Sequence, residues 1–451
     1  MSRAQLYNFW VSISGSLWFI PSIMICSAFC VSFITISLDV VLEYELLQHT
    51  LHLDKRAVFK HFLIVGPEGA RSVLSTIAGS MISVTGVVFS IVIVTLTLAS
   101  SQFGPRLLTN FMEDKSTQFV LGVFVATFVY CLLVLRSVNS AQNDIFVPMI
   151  SVNISVLLAI VNAGILIYFI HNIGTSIKAE HVIHGVYRNL IENIDRIFKD
   201  IDTANAKETP GESTEECNRS CLYSAEIAAK NDGYLQSVDY ERLVSLCATH
   251  NICMQLYVKA GEFATYTTTL GMLQGETELT ETLVREVQGG FIYGRQRTAE
   301  QDVEFAIHQL VEIAVRSLSP GINDPFTAVS CIDYLSSALC YLSGKPFPHS
   351  RCYDPEGQLR VITKPVTFGD LLDTAFNQIR QNSTASVAVS IRLMEAYIQI
   401  AATLTDSRSQ KALLRHGNML KKSSDTYFKE QHDKEDLQER HEVLLTLLGD
   451  K

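Results

Sequence analysis

Four long apolar stretches lie in the first 172 residues of the chain, and polar segments separate them. A helix that crosses a bilayer needs roughly 20 predominantly apolar residues. We therefore predict four transmembrane helices, at Leu17 to Leu38, Val73 to Ala99, Phe119 to Leu135 and Pro148 to Ile170. The first span is long and no small-residue cleavage site follows it, so we expect a retained anchor and not a signal peptide.

The second predicted span departs from a purely apolar helix. Small and hydroxylic residues recur along it at steps of four and three, which places them on one face. At 1.5 Å per residue this line, here called the hydroxyl stripe, extends over about 42 Å. Apart from the interposed Ile93, its members are Ser72, Thr76, Gly79, Ser83, Gly86, Ser90, Thr97 and Ser100.

The hydroxyl stripe permits two interpretations. Small residues let a second helix backbone approach closely, and hydroxyls can bond to the helix's own carbonyls, so the stripe is typical of a packing seam. Alternatively, copies of the helix around a symmetry axis line a permeation path, where uncharged hydroxyls replace part of an ion's hydration shell. The residue pattern alone leaves both interpretations open.

Polar residues near the other spans have simpler interpretations. Gly104 and Pro105 are expected to end the second helix, which places Arg106 at a pore mouth or among lipid headgroups. Asn153 and Asn162 in the fourth span are expected to form interhelical hydrogen bonds. None of the four predicted spans contains Asp, Glu, Lys or Arg, which argues against a proton-coupled pump.

The pattern changes after residue 172. Apolar residues at steps of four and three from Ser176 to Ile201 predict an amphipathic helix that packs on its own domain. Residues 225–273 contain short runs of β-forming residues joined by glycines, similar to the halves of a small biotinyl or lipoyl carrier barrel. Helical spacing then dominates residues 298–317, 326–342, 368–404, 407–426 and 434–449.

The predicted fold is an α-helical membrane domain of four transmembrane helices followed by a soluble α+β domain. The soluble domain is expected to have a small β-barrel-like part and a helical C-terminal part. The expected boundaries are 1–172 for the transmembrane domain, 173–202 for a connecting amphipathic helix, 203–290 for a β-rich subdomain and 291–451 for a helical subdomain.

Charged and polar residues concentrate around the start of the helical subdomain. Asn323-Asp324-Pro325 has the pattern of a turn whose aspartate caps a helix that begins at the proline. The alternative is a cluster that binds an anion, a nucleotide or another subunit, since arginines and helix starts both bind phosphate. That cluster would comprise Arg295, Arg297, Asp302, His308, Arg316, Asn323 and Asp324.

Composition narrows the possible functions. The chain is 48% hydrophobic and 18% charged, as membrane proteins are. Basic and acidic residues balance in residues 1–172, so the net charge of -10 belongs to the soluble part and argues against nucleic-acid binding. Histidines and cysteines lack the spacing of a metal site, so we expect neither metal nor cofactor. The odd, unpaired set of cysteines in the soluble part indicates a reduced cytoplasmic compartment, and four spans then place both termini in the cytoplasm.

Four motifs resemble a bacterial family. They are Arg316-Ser-Leu-Ser-Pro-Gly-Ile-Asn-Asp-Pro-Phe-Thr-Ala328, Gly294-Arg-Gln-Arg-Thr-Ala-Glu-Gln-Asp302, Thr85-Gly-Val-Val-Phe-Ser90 and Ser101-Gln-Phe-Gly-Pro-Arg106. The family is that of the predicted integral-membrane proteins with domain of unknown function 2254, DUF2254. The resemblance implies an inner-membrane protein with a cytoplasmic C-terminal part, and it assigns no catalytic residue or ligand.

We expect an oligomeric ion channel or channel-like transporter of the bacterial inner membrane, with the second span along the path and the cytoplasmic part assembling or gating it. The competing hypothesis is a non-conducting membrane scaffold or sensor whose cytoplasmic part binds a ligand or partner. No Walker, Rossmann, serine-hydrolase or zinc-hydrolase signature occurs, so we do not expect an enzyme. The expected partners are the lipid bilayer, further copies of the chain and an ion, but no nucleic acid.

Overall fold

The computed structural model describes residues 16, 18–48, 65–105, 114–141, 144–176, 178–204, 222–348 and 350–449. The chain divides into two compact units, Met1–Lys178 and Ala179–Lys451. Each unit is described by itself below.

The described part of the first unit contains four helices that are long and apolar enough to cross a membrane, as predicted. Each continues past the C-terminal end of its predicted span, because a helix does not have to stop where its apolar run stops. A short antiparallel hairpin, β1 (Asn139–Ala141) with β2 (Asp144–Phe146), joins the third helix to the fourth. The helices are α1 (Phe19–Gln48), α2 (Pro67–Phe103), α3 (Lys115–Ser137) and α4 (Met149–Ser176).

The ends of α2 and α3 follow from local sequence signals. Pro67 occupies the first turn of α2, where its missing N–H costs nothing. Gly104 ends α2 at φ 111°, a backbone conformation that side chains strongly disfavour, and its N–H donates to the Ser100 carbonyl at 3.2 Å. The Asp114 carboxylate caps the start of α3. The predicted end of the second span at Gly104 is therefore confirmed.

Helix α3 is the centre of the membrane unit and packs against α1, α2 and α4. Half of the residues in its most apolar stretch are buried, against 22% in each of the other three helices. Phe124, Tyr130, Cys131 and Val134 of α3 are at most 1% exposed. The outer helices consequently leave large apolar side chains exposed, which is favourable in hydrocarbon and unfavourable in water.

The second unit mixes helices and strands, as the predicted α+β class requires. Its described helices are α5 (Ala179–Ala204), α6 (Tyr240–Thr249), α7 (Glu281–Gln288), α8 (Val303–Ser317), α9 (Pro325–Ser343), α10 (Phe368–Asn382), α11 (Val387–Ala401), α12 (Ser407–Tyr427) and α13 (Gln431–Gly449). Its described strands are β3 (Tyr223–Ala228), β4 (Gly233–Val238), β5 (Cys253–Leu256), β6 (Phe263–Ala264), β7 (Thr269–Gly275), β8 (Phe291–Gly294), β9 (Arg351–Tyr353) and β10 (Leu359–Ile362).

These strands form two open sheets, with the orders β3-β7-β5-β10-β9 and β6-β4-β8. The predicted barrel-like part is not confirmed, because neither sheet closes and the two runs expected as its halves, β4 and β5, lie in different sheets. Helix α6 separates them, and Leu243 and Cys247 bury its inner face. Strand β10 pairs in parallel with β5, so residues far along the chain complete the larger sheet.

Helix α5 packs against α8 and α9 of its own unit. Ile183, Leu190 and Ile194 are fully buried on its inner face, which confirms the prediction that this face packs on its own domain. The helix predicted at 368–404 is instead two helices, α10 and α11. Small polar residues separate them, and the Ser386 N–H donates to the Ser383 carbonyl at 2.8 Å in a turn.

The described cysteines of the second unit are in two oxidation states. Cys247, Cys331, Cys340 and Cys352 are free thiols. Burial raises the pKa of the Cys247 thiol to about 12, so it is unreactive. Cys253 is part of a disulfide, contrary to the expected set of unpaired cysteines.

Candidate functional site

The hydroxyl stripe lies on the face of α2 that points away from its own bundle. Leu74, Ala78, Met81, Val88 and Val92 form the opposite, buried face, against which α3 and α4 pack. The stripe residues from position 72 to position 97 are exposed, and the residue at position 100 is half-buried. Among the described helices of this chain, the stripe is therefore not a packing seam.

The stripe hydroxyls are already hydrogen-bonded to their own helix. Each donates to the carbonyl four residues earlier, at 2.7 to 2.9 Å. A satisfied donor makes a hydroxyl inexpensive to remove from water, and it leaves the oxygen lone pairs directed outward. The residues concerned are Thr76, Ser83, Ser90 and Thr97.

The glycines of the stripe leave open space at the surface of α2. A Cβ added at Gly79 or Gly86 would meet nothing within 4 Å. A shallow groove of about 610 Å³ runs along this part of α2, with Ser83, Gly86 and Ser90 beside apolar side chains.

A buried carboxylate that the sequence analysis missed ties α1 to the start of α4. Asp39 is 6% exposed and lies within the apolar part of α1, Phe19–Val41. Its carboxylate accepts hydrogen bonds from Ile150 N at 2.8 Å, Ser151 N at 3.0 Å and Ser151 Oγ at 2.7 Å. A negative charge on the first amides of a helix is stabilising.

We predicted that no span contains Asp, Glu, Lys or Arg. This prediction is wrong for the first span, because its apolar part extends to Val41 and includes Asp39. The apolar run ends at Leu38, but helix α1 and its burial continue. Asp39 is the one charged residue of that apolar part, which was the available signal. All three of its hydrogen bonds go to α4, so the carboxylate has a structural explanation and no proton relay needs to be invoked.

Tyr130 of α3 joins the same network. Its hydroxyl donates to the Ser151 carbonyl at 3.1 Å and lies 3.2 Å from Thr35 Oγ1 on α1. Thr35, Tyr130 and Ser151 are all buried. Three helices of the membrane unit are consequently fixed to one another by polar contacts at this level.

Asn162 forms the interhelical hydrogen bonds that were predicted. The residue is fully buried in α4, and its Nδ2 donates to Thr127 Oγ1 of α3 at 2.8 Å and to Met81 Sδ of α2 at 3.3 Å. Asn153 Nδ2 donates to the Met149 carbonyl of its own helix. The predicted position of Arg106 lies outside the described residues.

The charged residues before α8 form an internally neutralised cluster. Arg297 Nε donates to Asp302 Oδ2 at 2.7 Å and its Nη2 donates to Oδ1 at 3.0 Å. Lys259 Nζ lies 2.5 Å from Glu304, whose second oxygen is 3.8 Å from Arg297. Two cations thus meet two carboxylates, which leaves little positive charge at this point for an anionic ligand.

Asp302 is also the cap of α8. It is 4% exposed and accepts a hydrogen bond from Phe305 N at 3.1 Å. Burial raises the pKa of Asp302, and the Arg297 guanidinium opposes that rise. Gly261, at φ 92°, lies so close that a Cβ there would be 2.1 Å from Asp302 Oδ2, so only glycine fits.

The other members of the predicted cluster lie along α8, just before it, or at the start of α9. Asp324 caps α9 and accepts from Thr327 N at 3.2 Å and Thr327 Oγ1 at 2.6 Å, as the turn-and-cap interpretation predicts. Arg295 and Asn323 are exposed, whereas His308 and Arg316 are half-buried along α8. Within the described residues, the contacts of Arg297 and Asp324 are those of a structural cluster and a cap.

A second polar group lies between α10 and α12 and had no sequence signal. His416 is fully buried, and its Nε2 lies 2.9 Å from Asp373 Oδ1. Arg415 donates to both oxygens of Asp373 at 2.6 and 2.7 Å. Burial lowers the pKa of His416, although the Asp373 carboxylate opposes the change. No group of three His, Cys, Asp or Glu residues suited to a metal occurs in the described part of the chain.

Comparisons with known proteins identify the family. The model of a family described as predicted membrane protein, DUF2254, matches residues 14–399. An uncharacterized protein of Mycobacterium bovis is 29% identical over 378 residues, which cover 82% of this chain and 70% of that protein. An uncharacterized protein of Mycobacterium tuberculosis matches with the same identity and coverage. No solved structure matches the chain. Because the family model covers most of its length, this chain belongs to the DUF2254 family of predicted membrane proteins.

Proposed function

We propose that the chain forms an oligomeric ion channel or channel-like transporter of the bacterial inner membrane, in which the hydroxyl stripe of α2 lines the path. The observation that supports this proposal is the direction of the stripe. It faces away from α3 and α4, so in an assembly it is free to turn toward a common axis.

The chemistry of the stripe suits a path better than a lipid-facing surface. A lipid-facing surface gains from large apolar side chains, as α1 exposes at Phe33 and Ile34, and glycine contributes nothing there. The hydroxyls of Ser83 and Ser90 donate to backbone carbonyls, so their outward lone pairs can replace water around a cation without holding it tightly. The proposal therefore favours a cation as the permeant species.

The second candidate function is a non-conducting scaffold. Gly79 and Gly86, with open space beside them, would let a helix of another copy pack closely against α2. In that arrangement the stripe is a seam between copies and carries no ions. The two candidates differ in one measurable property, ion flux.

The second unit is proposed to assemble or gate the path, with no enzymatic activity and no cofactor. We propose a cytoplasmic location for it, since most of its described cysteines are free thiols. The Cys253 disulfide favours the opposite side of the membrane. Phosphatase and fluorescent reporters fused to the C-terminus decide between the two sides, because each reporter is active on only one of them.

The proposal is tested by reconstituting the full chain in liposomes and measuring cation flux. The change of Ser83→Leu or Ser90→Leu adds a bulky side chain to the stripe, and we expect it to reduce flux at least about tenfold. Ser80→Leu is the matched control, because Ser80 is exposed on α2 and lies beside the stripe. Flux of the control should stay within about twofold of the parent.

Two outcomes would contradict the channel. The first is no flux from the parent chain across several cations and pH values, which favours the scaffold. The second is undiminished flux in both leucine variants with the subunit number unchanged. Subunit number is measured in the same preparations by light scattering, so a variant that fails to assemble is not mistaken for a blocked path.

A further inference from the structure

We propose that the hairpin of α12 and α13 is a surface through which two copies of the chain pair, with α12 of each copy lying on α13 of the other. The inference rests on the proposed function in requiring that the chain assembles, and it names a surface for that assembly. It concerns the second unit alone and requires no particular role for α2.

Helix α12 is a basic helix in an acidic chain. It contains five Lys or Arg residues and one Asp, whereas the whole chain has a net charge of -10. A shallow groove of about 400 Å³ follows its outer face. Lys411 and Lys422 are exposed there, and neither has an ion-pair partner among the described residues. The groove is lined by Lys411, Leu414, Arg415, Asn418, Met419 and Lys422.

Helix α13 has the opposite character. It contains five Asp or Glu residues and two Lys or Arg residues. Glu435, Glu439 and Glu442 are exposed on its outer side. Further along the helix, Val443 is 45% exposed and Leu445 is 40% exposed, and residues two apart lie on opposite flanks of this acidic face. Leu414 and Met419 flank the basic face of α12 in the same way, so the two faces match in charge and in their apolar edges.

The two helices lie antiparallel and side by side, so the hairpin presents both faces together. His441 Nε2 of α13 lies 2.9 Å from Asn418 Oδ1 of α12. Because the helices are antiparallel, a residue four positions after Asn418 on α12 is level with one four positions before His441 on α13. Lys422 is therefore level with residue 437, between Glu435 and Glu439. A basic face and an acidic face thus lie next to each other at the same height.

A two-fold axis parallel to the helices makes this arrangement self-complementary. It places α12 of one copy over α13 of the other without a change of height, and it repeats every contact twice. Lys422 then meets the level of the partner's acidic positions, and the apolar residues of the two hairpins face one another. Exposed ion pairs contribute only about 0 to 1 kcal/mol each, so the apolar contact has to accompany them.

The test is a charge exchange in the full chain, measured in detergent and in nanodiscs. Lys411→Glu with Lys422→Glu should weaken pairing at least about tenfold, because it sets like charges against each other. Glu435→Lys with Glu439→Lys, the two positions on either side of the Lys422 level, should weaken it to a similar degree. All four changes together restore opposite charges at that level and should return the dissociation constant to within about threefold of the parent.

Lys230→Glu with Arg285→Glu is the matched control for the first pair. It makes the same change of net charge at two exposed positions outside the hairpin, and pairing should be unaffected. Melting temperatures identify any variant that does not fold. In that event Lys411→Gln with Lys422→Gln, which removes charge without reversing it, should still weaken pairing about threefold or more.

Subunit number by light scattering and its dependence on dilution are the readouts. The inference is overturned if neither reversed pair changes the association, or if the fourfold variant is no better than either pair alone. Ion flux is measured separately. Loss of flux in the stripe variants with pairing intact tests the proposed path, and loss of pairing in variants that leave the stripe unchanged tests the hairpin surface. The two proposals can therefore fail independently.

Discussion

Removing the carboxylate of Asp39 should loosen the membrane unit at one defined point. Asp39→Ala deletes the acceptor of three hydrogen bonds, two from the first amides of α4 and one from Ser151 Oγ. Ser151 is fully buried and Asp39 is 6% exposed, so water does not readily replace the lost acceptor. The substitution leaves a small void as well as unsatisfied donors.

The size of the effect follows from these contacts. Loss of a helix cap costs about 0.5–2 kcal/mol, and each buried donor left without a partner costs about 1–3 kcal/mol. The hydroxyl of Ser151 can turn to another acceptor, and one backbone amide can be partly rehydrated. We therefore expect a loss of about 2–4 kcal/mol in the free energy that keeps α1 and α4 together.

Cys131 is a natural reporter of this loss. It is fully buried on α3, beside Tyr130, and a thiol reagent reaches it only when the bundle opens. A loss of 2–4 kcal/mol should raise its alkylation rate roughly 30- to 1,000-fold, since 1.4 kcal/mol corresponds to a factor of ten. The rate is measured by mass spectrometry of the peptide that contains Cys131.

Two further variants make the measurement specific. Asp39→Asn keeps one acceptor oxygen and should have a smaller effect, about 1 kcal/mol. Ser27→Ala on the same helix removes a hydroxyl that bonds only to the Met24 carbonyl of its own turn, and it should change the rate less than about threefold. Equal rates in Asp39→Ala and the parent would refute the assigned role of the carboxylate.

Three further predictions concern the second unit. Gly417→Ala places a Cβ 2.4 Å from Leu444 Cδ2, so the buried Leu444 side chain or α13 must shift, and thermal unfolding should show a loss of about 1–3 kcal/mol. The free energy of unfolding should fall as the pH drops below about 6.5, because burial lowers the pKa of His416 in the folded state. A lowered folded-state pKa stabilises the protein above the pKa of the unfolded state, and that stabilisation is lost below it. Unfolding midpoints in urea across pH 5–8 measure this fall, and His416→Gln should make the midpoint less dependent on pH. Asp302→Ala removes the cap of α8 and leaves Arg297 without its 2.7 Å partner, so we expect a loss of about 3 kcal/mol in the same unfolding assay, whereas Asp302→Asn keeps the cap and should lose less.

Local sequence signals determined much of this protein. Hydropathy determined that four helices are long and apolar enough to cross a membrane, because that property depends on composition over about 20 residues and not on packing. Caps and stops were equally local: Gly104, Asp302 and Asp324 act within three or four residues of their own position. Helical periodicity also determined which residues share the hydroxyl stripe.

Contacts between distant residues were decided by the tertiary structure alone. Asp39 meets Ser151 across more than a hundred residues of sequence, and strand β10 joins β5 to complete a sheet that was expected to be a barrel. His416 contacts Asp373 because α10 and α12 pack against each other. No local pattern encodes such partners, since each depends on where two separately formed elements come to lie.

For the hydroxyl stripe, the sequence determines which residues share a face, and the tertiary structure determines where that face points. A period of 3.6 residues determines that its members share one face, and the sequence by itself showed this. Which way the face points depends on where α3 and α4 find their apolar contacts, and only the packed bundle decided that they cover the opposite side of α2. The physical reason is that periodicity fixes angles around one helix axis, whereas orientation is a property of several helices together.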